Sequence, residues 1–190
     1  MSSGDFARTK IKPPRTRAAQ LARECLAGPL AADLAGMPVT PLCAPAGFGK
    51  SVLLTHQWAR LPAGTALAWI AADADDDLPR FAACLAAALD PHDLPWRVSP
   101  EALVAELGSR PGAERNFVAE LPNALAGTPV QRGLIAIGDT RVFSVIESLV
   151  ERLPPAWGLV LLARQDPPLP LARPRWPGRM APGQPALHRR

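Results

Sequence analysis

Residues 44–51 read Ala-Pro-Ala-Gly-Phe-Gly-Lys-Ser, which is the pattern of a phosphate-binding loop (P-loop) except that alanine replaces the first glycine. A chain that wraps a phosphate needs small residues, because its N–H groups must point inward and a Cβ would obstruct them. Gly47 and Gly49 lie within the expected wrap. Lys50 offers an ammonium to the β- and γ-phosphates, and Ser51 offers a hydroxyl to Mg²⁺. The pattern predicts a nucleotide site; the alternative is an ordinary glycine-rich turn between a strand and a helix.

The segments on either side of the loop fit the first interpretation. The apolar stretch 38–43 is predicted to be a strand, although Pro41 lacks the N–H that a central strand needs. Residues from about 49 to 60 are predicted to be a helix, whose N-terminus would face a bound anion. The candidate nucleotide-binding residues are Ala46, Gly47, Phe48, Gly49, Lys50, Ser51 and Val52.

Strands and helices are predicted to alternate along the rest of the chain. Apolar runs at 65–71, 133–139 and 157–164 are typical of parallel strands buried on both faces. Helical patterns are found at 19–35, 81–89, 114–126 and 141–153, and a further helix is predicted to begin at Ser99. Pro29 and Pro122 are expected to divide or bend two of these helices. The alternation indicates an α/β fold with a mostly parallel sheet flanked by helices, and the glycine loop after the first strand makes this a fold of the P-loop NTPase type.

A carboxylate at the end of a neighbouring strand would hold the Mg²⁺ shell. Asp139, after the third strand, is the best candidate; alternatively it caps the following helix. Arg164, after the fourth strand, could sense the γ-phosphate or could simply lie on the surface. The acids between 73 and 77 could indicate a metal site, but we expect a solvated loop whose last acids cap the next helix.

The composition indicates one globular domain, because 48% of the 190 residues are hydrophobic and 20% are charged. No apolar run is long enough to span a membrane, and no apolar signal core follows the basic start, so we expect a cytoplasmic protein. The three cysteines are widely spaced, which suits neither a zinc site nor a disulfide framework.

Positive charge is concentrated at the two ends of the chain. The net charge is +4, yet residues 1–25 carry +4 and residues 173–190 carry five arginines and no acid, so the middle has a net charge of −5. Basic ends can bind nucleic acid, but no helix-turn-helix pattern accompanies them. We expect a basic extended lead at 1–20, a P-loop NTPase domain at 21–172 and a disordered tail rich in proline and glycine at 173–190.

Several stretches together resemble a known family. They are 10–14, 44–51, 57–58, 68–70, 73–77, 80–81, 153–155 and 163–173. Their order and spacing are similar to those of the N-terminal NTPase domain of large LuxR-type, MalT-like transcriptional activators, which belong to the STAND class of signal-transducing P-loop ATPases. An alanine at the first loop position is usual in that family.

The resemblance implies a sheet in which the strand ending at Arg164 lies between the loop strand and the strand ending at Asp139. It implies ATP or ADP bound with Mg²⁺ in a switch that is inactive with ADP, and self-assembly when inducer and ATP are present. It assigns Lys50 and Ser51 to the phosphates and Mg²⁺, Asp139 to the Walker B acids, and Arg164 to the sensor position. The family's C-terminal helix-turn-helix domain is expected to be missing from this chain.

One departure from the family affects activity. Two acids normally end the third strand, and Gly138 takes the place of the first. Glycine offers no side-chain ligand to Mg²⁺, and Asp139 would emerge on the opposite face of a regular strand. We therefore expect weak ATPase activity at most. The similarity stops after Arg173, so the resemblance implies a sheet that is incomplete at its C-terminal end. Our hypothesis for this is a truncated gene or a shifted reading frame.

The sequence thus favours an ATP/ADP-binding regulatory domain of a MalT-like regulator. The alternatives are a non-functional truncated remnant and a free-standing P-loop ATPase or small-molecule kinase, although no catalytic base for a second substrate is evident. The expected partners are the nucleotide and either another copy of the chain or a full-length homologous regulator. Neither a membrane nor direct contact with DNA is expected.

Overall fold

The structure is a computed structural model, and it describes residues 6–15, 24–73, 76–138 and 142–169. The strands in this part of the chain are β1 (Val39–Cys43), β2 (Ala66–Ala71), β3 (Gly133–Gly138) and β4 (Trp157–Ala163). The α-helices are α1 (Glu24–Gly36), α2 (Lys50–Trp58), α3 (Leu78–Leu89), α4 (Pro100–Ser109), α5 (Ala113–Ala126) and α6 (Phe143–Val150). Two short 3₁₀ turns lie at Arg8–Ile11 and Asp90–His92.

The four strands form one sheet in the order β1-β4-β3-β2, and every pairing in it is parallel. β4 therefore lies between β1 and β3, as the family resemblance implies. The register pairs Cys43 with Ala163, and it pairs Gly138 with both Ala71 and Leu162, so the carboxyl ends of the strands meet at one end of the sheet. The predicted α/β fold with a parallel sheet flanked by helices is confirmed.

Pro41 is not the defect that the sequence suggested, because β1 is an edge strand among the described strands. The N–H of Leu159 donates to the carbonyl of Pro38 at 2.8 Å, and the N–H of Ala44 donates to the carbonyl of Ala163 at 3.1 Å. Alternate residues of a parallel strand direct their polar groups to opposite sides, so the nitrogen of Pro41 points to the unpaired side. An edge strand tolerates proline at such a position.

The two faces of the sheet are covered by different helices. Leu134 and Ala136 of β3 pack in one cluster with Leu54 of α2. Ile135 and Ile137 of the same strand pack in a second, larger cluster, which includes side chains from α3, α4, α5 and α6. Successive residues of a strand point to opposite faces, so the even-numbered positions of β3 face α2.

The prolines inside two helices do not break them. α1 contains Pro29 and α5 contains Pro122, and each is a single α-helix. A proline removes one helical N–H and crowds the preceding turn, which is why a division was expected. Pro122 is among the buried residues of α5, so the packing of this face of the helix offsets the lost hydrogen bond.

Two helices, α3 and α4, begin at capping side chains, as predicted. The carboxylate of Asp77 accepts a hydrogen bond from the N–H of Arg80 at 2.9 Å, at the start of α3. The hydroxyl of Ser99 accepts one from the N–H of Ala102 at 3.3 Å, at the start of α4. Each bond satisfies an N–H that has no partner within its helix.

The described part of the N-terminal lead, 6–15, is not simply extended. It contains the 3₁₀ turn at Arg8–Ile11, which contacts β2 and α3, and Phe6 and Ile11 pack against the larger core cluster. The remainder of the lead and the tail at 173–190 lie outside the described residues. None of the helices in the described ranges has the length and apolar character needed to cross a membrane.

Candidate nucleotide-binding site

The chain between β1 and α2 wraps as the glycine pattern predicts. Gly47 has a φ of 81° and Gly49 a φ of 74°, which are left-handed conformations that glycine adopts without steric cost. Gly49 is also the N-cap of α2, so the unpaired N–H groups of the first helical turn open toward the loop. The N–H of Phe48 donates to the carbonyl of Pro45 at 3.4 Å. The loop thus presents a helix N-terminus behind a tight glycine turn, which is an arrangement that binds anions.

Lys50 is the first residue of α2, and its ammonium turns back across the loop. Its Nζ donates to the carbonyl of Ala44 at 2.5 Å and to that of Pro45 at 3.1 Å. An ammonium has three hydrogens to donate. Within the described residues these two bonds leave one N–H of the Lys50 ammonium to donate to an anion bound in the loop. The same two bonds fix the position of the ammonium over the loop.

A cavity of about 470 Å³ lies between this loop and the carboxyl ends of the strands. Its volume falls within the range of about 300 to 1,000 Å³ that is typical of small-molecule sites. The lining residues are Ala46, Gly47, Gly49, Lys50, Ser51, Val52, Trp69, Ala71, Ala72, Asp73, Gly138, Leu162 and Arg164. The structure therefore brings together the sequence-predicted binding residues except Phe48, which does not line the cavity and is 56% exposed.

The strand residues that line the cavity share the face of the sheet that α2 covers. Gly138 lies two positions after Ala136, which packs against α2. Leu162 of β4 belongs to the same cluster, and Arg164 follows it by two positions and also lines the cavity. The sensor position implied by the family resemblance is thus at the cavity, at the end of a strand in the middle of the sheet.

Asp139, the predicted Mg²⁺ ligand, lies outside the described residues. The described part of β3 ends at Gly138, the position whose side chain would face the cavity. A Cβ added there would lie 3.7 Å from the carbonyl oxygen of Ile70 and 3.9 Å from the Cα of Ala71, which are ordinary contact distances. A Cβ at this position therefore meets no obstruction.

Asp73 also lines the cavity, although it was not among the predicted site residues. It follows β2 by two residues and lies four positions after Trp69, which packs in the α2 cluster. The period of two along a strand could have indicated this, because it assigns position 73 to the same side as Trp69. The acids from 73 to 77 had instead been interpreted together as a solvated loop.

That interpretation is wrong for Asp76, whose side chain is only 4% exposed. Its two carboxylate oxygens lie 2.6 and 2.7 Å from the Nζ of Lys10, and it accepts a bond from the N–H of Asp73 at 2.7 Å. The same Nζ lies 2.8 Å from a carboxylate oxygen of Asp73. A lysine of the N-terminal segment therefore bridges two acids beside the cavity.

Ion pairing outweighs burial in this cluster. Burial raises the pKa of Asp76, but the bonds from Lys10 and from the N–H of Asp73, together with the charge of Arg80, bring that pKa below its ordinary value of 3.8. Burial lowers the pKa of Lys10, but the bonds to both acids bring it above its ordinary value of 10.5. Burial raises the pKa of the neighbouring Cys84 thiol to about 11, so the pair is charged and the thiol is neutral at pH 7.

The described residues contain no group of three or more His, Cys, Asp or Glu side chains arranged to hold a metal ion. Mg²⁺ that arrives with a nucleotide needs fewer protein ligands, because phosphate oxygens and water complete its octahedron. Ser51 and Asp73 line the cavity with a hydroxyl and a carboxylate, which are oxygen ligands of the kind that Mg²⁺ accepts. These donors fit a metal carried by the nucleotide rather than a resident ion.

Comparison with known proteins adds no family. No protein-family model matches the sequence, and no curated protein matches it. The resemblance of the motifs to MalT-like NTPase domains therefore stays a prediction. The geometry of the loop and the cavity is the observation on which a function can rest.

Proposed function

We propose that this chain binds ATP and ADP with Mg²⁺ in the cavity between the loop 44–49 and the carboxyl ends of the strands. One observation carries the proposal: Gly47 and Gly49 turn the chain into the N-terminus of α2, where Lys50 and Ser51 line a cavity of about 470 Å³. The helix N–H groups and the ammonium supply positive potential for phosphates, and the serine hydroxyl supplies an oxygen ligand for Mg²⁺.

The residues around the cavity favour binding over hydrolysis. Hydrolysis needs Mg²⁺ held in place and a group that orients the attacking water. Gly138, which lies where a carboxylate side chain would face the cavity, supplies neither. The Asp73 carboxylate already lies 2.8 Å from the Lys10 ammonium, so it is engaged by a cation rather than by a water. Arg164 lines the cavity, and we expect its guanidinium to contact a terminal phosphate and so favour ATP over ADP. Slow turnover would leave bound ATP uncleaved for long periods, as a switch requires.

We further propose that this site belongs to a cytoplasmic regulatory domain of the MalT-like, LuxR-family type. The motifs named above suggest it, and the strand order supports it, because β4 lies between β1 and β3. The partners of such a domain are a second copy of the chain or a full-length homologous regulator, rather than DNA or a membrane. A regulatory role also suits a site that binds nucleotide and hydrolyses it weakly.

Thermal melts of the whole chain with ADP or ATP, with and without Mg²⁺, test the nucleotide proposal. At a hundred times its dissociation constant, a ligand adds about 2.7 kcal/mol to the free energy of unfolding, or about 5 to 10 °C in Tm for a chain of this size. Lys50→Ala is expected to remove most of the shift, whereas Lys12→Ala, an exposed lysine in 6–15, is expected to keep it. A wild-type melt that ignores both nucleotides contradicts the proposal.

The same preparations separate the alternatives. A chain that elutes as an aggregate and melts without cooperativity would indicate a non-functional remnant. Such a remnant would associate through an edge of the sheet, and β1 is an edge strand among the strands that the structure describes. Transfer of phosphate to an added small-molecule acceptor, lost in Lys50→Ala, would indicate a free-standing kinase. A monomer with a cooperative melt and a nucleotide-dependent shift is the result that the regulatory proposal expects.

A further inference from the structure

The N-terminal segment 6–15 is attached to the domain at the wall of the candidate nucleotide cavity. Its turn, Arg8–Ile11, contacts β2 and α3, and its apolar side chains pack against the core. Lys10, in that turn, reaches the two acids that follow β2, Asp73 and Asp76. The segment therefore contacts residues that form one wall of the cavity.

One of these acids holds the lysine, and the other faces the cavity. Asp76 is buried and lies within 2.7 Å of the Lys10 ammonium through both carboxylate oxygens. The side chain of Asp73 is 67% exposed, lines the cavity and lies 2.8 Å from the same ammonium. Because the N–H of Asp73 also donates to Asp76, the three residues form one connected unit. Displacement of Lys10 therefore changes both the position and the local charge of Asp73.

We propose that segment 6–15 is a strap whose docking is coupled to nucleotide binding, with Lys10 as the positioning residue; this inference rests on the proposed nucleotide site. A polyphosphate brings several negative charges into the cavity beside Asp73. With the strap docked, Lys10 neutralises the two acids; with the strap displaced, their charges repel the phosphates. Because coupling between two binding equilibria is reciprocal, nucleotide favours the docked strap and the docked strap favours nucleotide. Whatever pulls the strap away therefore weakens nucleotide binding.

The strap supplies its own matched control. Lys12 carries the same charge two residues further along, and it is exposed, whereas the side chain of Lys10 is 16% exposed. A variant at Lys12 therefore reports the loss of one positive charge from the strap without the loss of the bridge. Lys10→Arg keeps the charge at the bridge itself.

The test is an equilibrium titration of the whole chain with ADP in EDTA, below the melting temperature of every variant. Lys10→Gln is expected to weaken ADP binding about tenfold, within the usual range of coupling between sites. Lys12→Gln is expected to change it less than about twofold, as for an exposed charge. Adding Asp73→Asn to Lys10→Gln is expected to restore most of the affinity, because it removes the unpaired charge beside the phosphates. Should Lys10→Gln fail to fold, Lys10→Gln with Asp76→Asn replaces it; a smaller loss is then expected, because Asp73 alone is left unpaired beside the phosphates, but still a larger one than for Lys12→Gln.

Hydrogen exchange gives the reciprocal measurement: in wild type, ADP is expected to slow the exchange of the amides in 6–15. If wild type binds ADP while Lys10→Gln matches Lys12→Gln, the coupling is wrong and the nucleotide site stands. If Asp73→Asn fails to restore binding in Lys10→Gln, the effect of Lys10 is structural and the proposal is overturned. If wild type binds no ADP, the proposed function fails, and the coupling fails with it.

Discussion

Replacing Gly138 with aspartate is expected to make nucleotide binding by this chain more dependent on Mg²⁺. Position 138 lines the cavity, and an added Cβ would lie no closer than 3.7 Å to the neighbouring strand, at the carbonyl oxygen of Ile70. This is an ordinary contact distance, so the free energy of unfolding is expected to change by less than about 1 kcal/mol, the span of strand propensities. The substitution therefore adds a carboxylate to the site with little effect on the fold.

The expected effect is a rise of at least about tenfold in the ratio of the ATP dissociation constants measured without and with Mg²⁺. Groups that support a bound metal typically change its affinity by about 10- to 100-fold, and tenfold corresponds to about 1.4 kcal/mol. In EDTA the new charge repels the phosphates, so ATP should bind more weakly than it binds to wild type. Titration calorimetry measures both constants.

Gly138→Asn is the matched control, because it has the size of aspartate without the charge. If Gly138→Asp and Gly138→Asn give the same ratio, position 138 does not face the metal, and the reasoning from the alternation of β3 is refuted.

Three further outcomes are expected. Ser51→Ala should weaken the binding of Mg²⁺-ADP while leaving ADP in EDTA within about twofold, since it removes a metal ligand; an equal loss in both titrations would count against that role. The pair of Asp76 and Lys10 should stabilise the fold fully between pH 3.8 and 10.5, because the pKa of the acid is lowered and that of the lysine is raised. The contribution of the pair is lost as Asp76 is protonated below this window and as Lys10 is deprotonated above it. The difference in unfolding free energy between wild type and Asp76→Asn should therefore shrink in acid. A difference that stays constant with pH would exclude the pair as its source. Pro41→Val should change the free energy of unfolding by less than about 1 kcal/mol, whereas Ile135→Pro in the central strand should cost about 2 kcal/mol or more; similar costs in denaturant titrations would contradict the edge position of β1.

The fold could largely be predicted from the sequence because its signals are local. Four apolar runs give the strands, and caps such as Ser99 give helix starts. The errors arose where a residue's effect depends on distant neighbours. Pro41 is tolerated because β1 is an edge strand among the described strands, and the order of strands in a sheet cannot be predicted from a short stretch of sequence. Asp76 was predicted to be solvated because its partner, Lys10, is 66 residues away in sequence.

The candidate site divides in the same way. The loop residues are consecutive, so the glycines and Lys50 could be recognised directly. Whether a strand-end residue faces the cavity depends on where its strand stops and on which face of the sheet α2 covers. The local sequence gives neither, and Asp73 was missed for this reason. Gly138 was recognised as a departure from the pattern of the family that the chain resembles. It lines the cavity, so a side chain at this position would face a bound ligand.

The most direct test of the central claim is a calorimetric titration of the wild-type chain with ADP and Mg²⁺, repeated with Lys50→Ala. The loop geometry predicts saturable binding at one site, and loss of the charged donor should weaken it at least about tenfold. Heats no larger than dilution for wild type, or equal affinities for wild type and Lys50→Ala, would contradict the claim that this loop binds a polyphosphate.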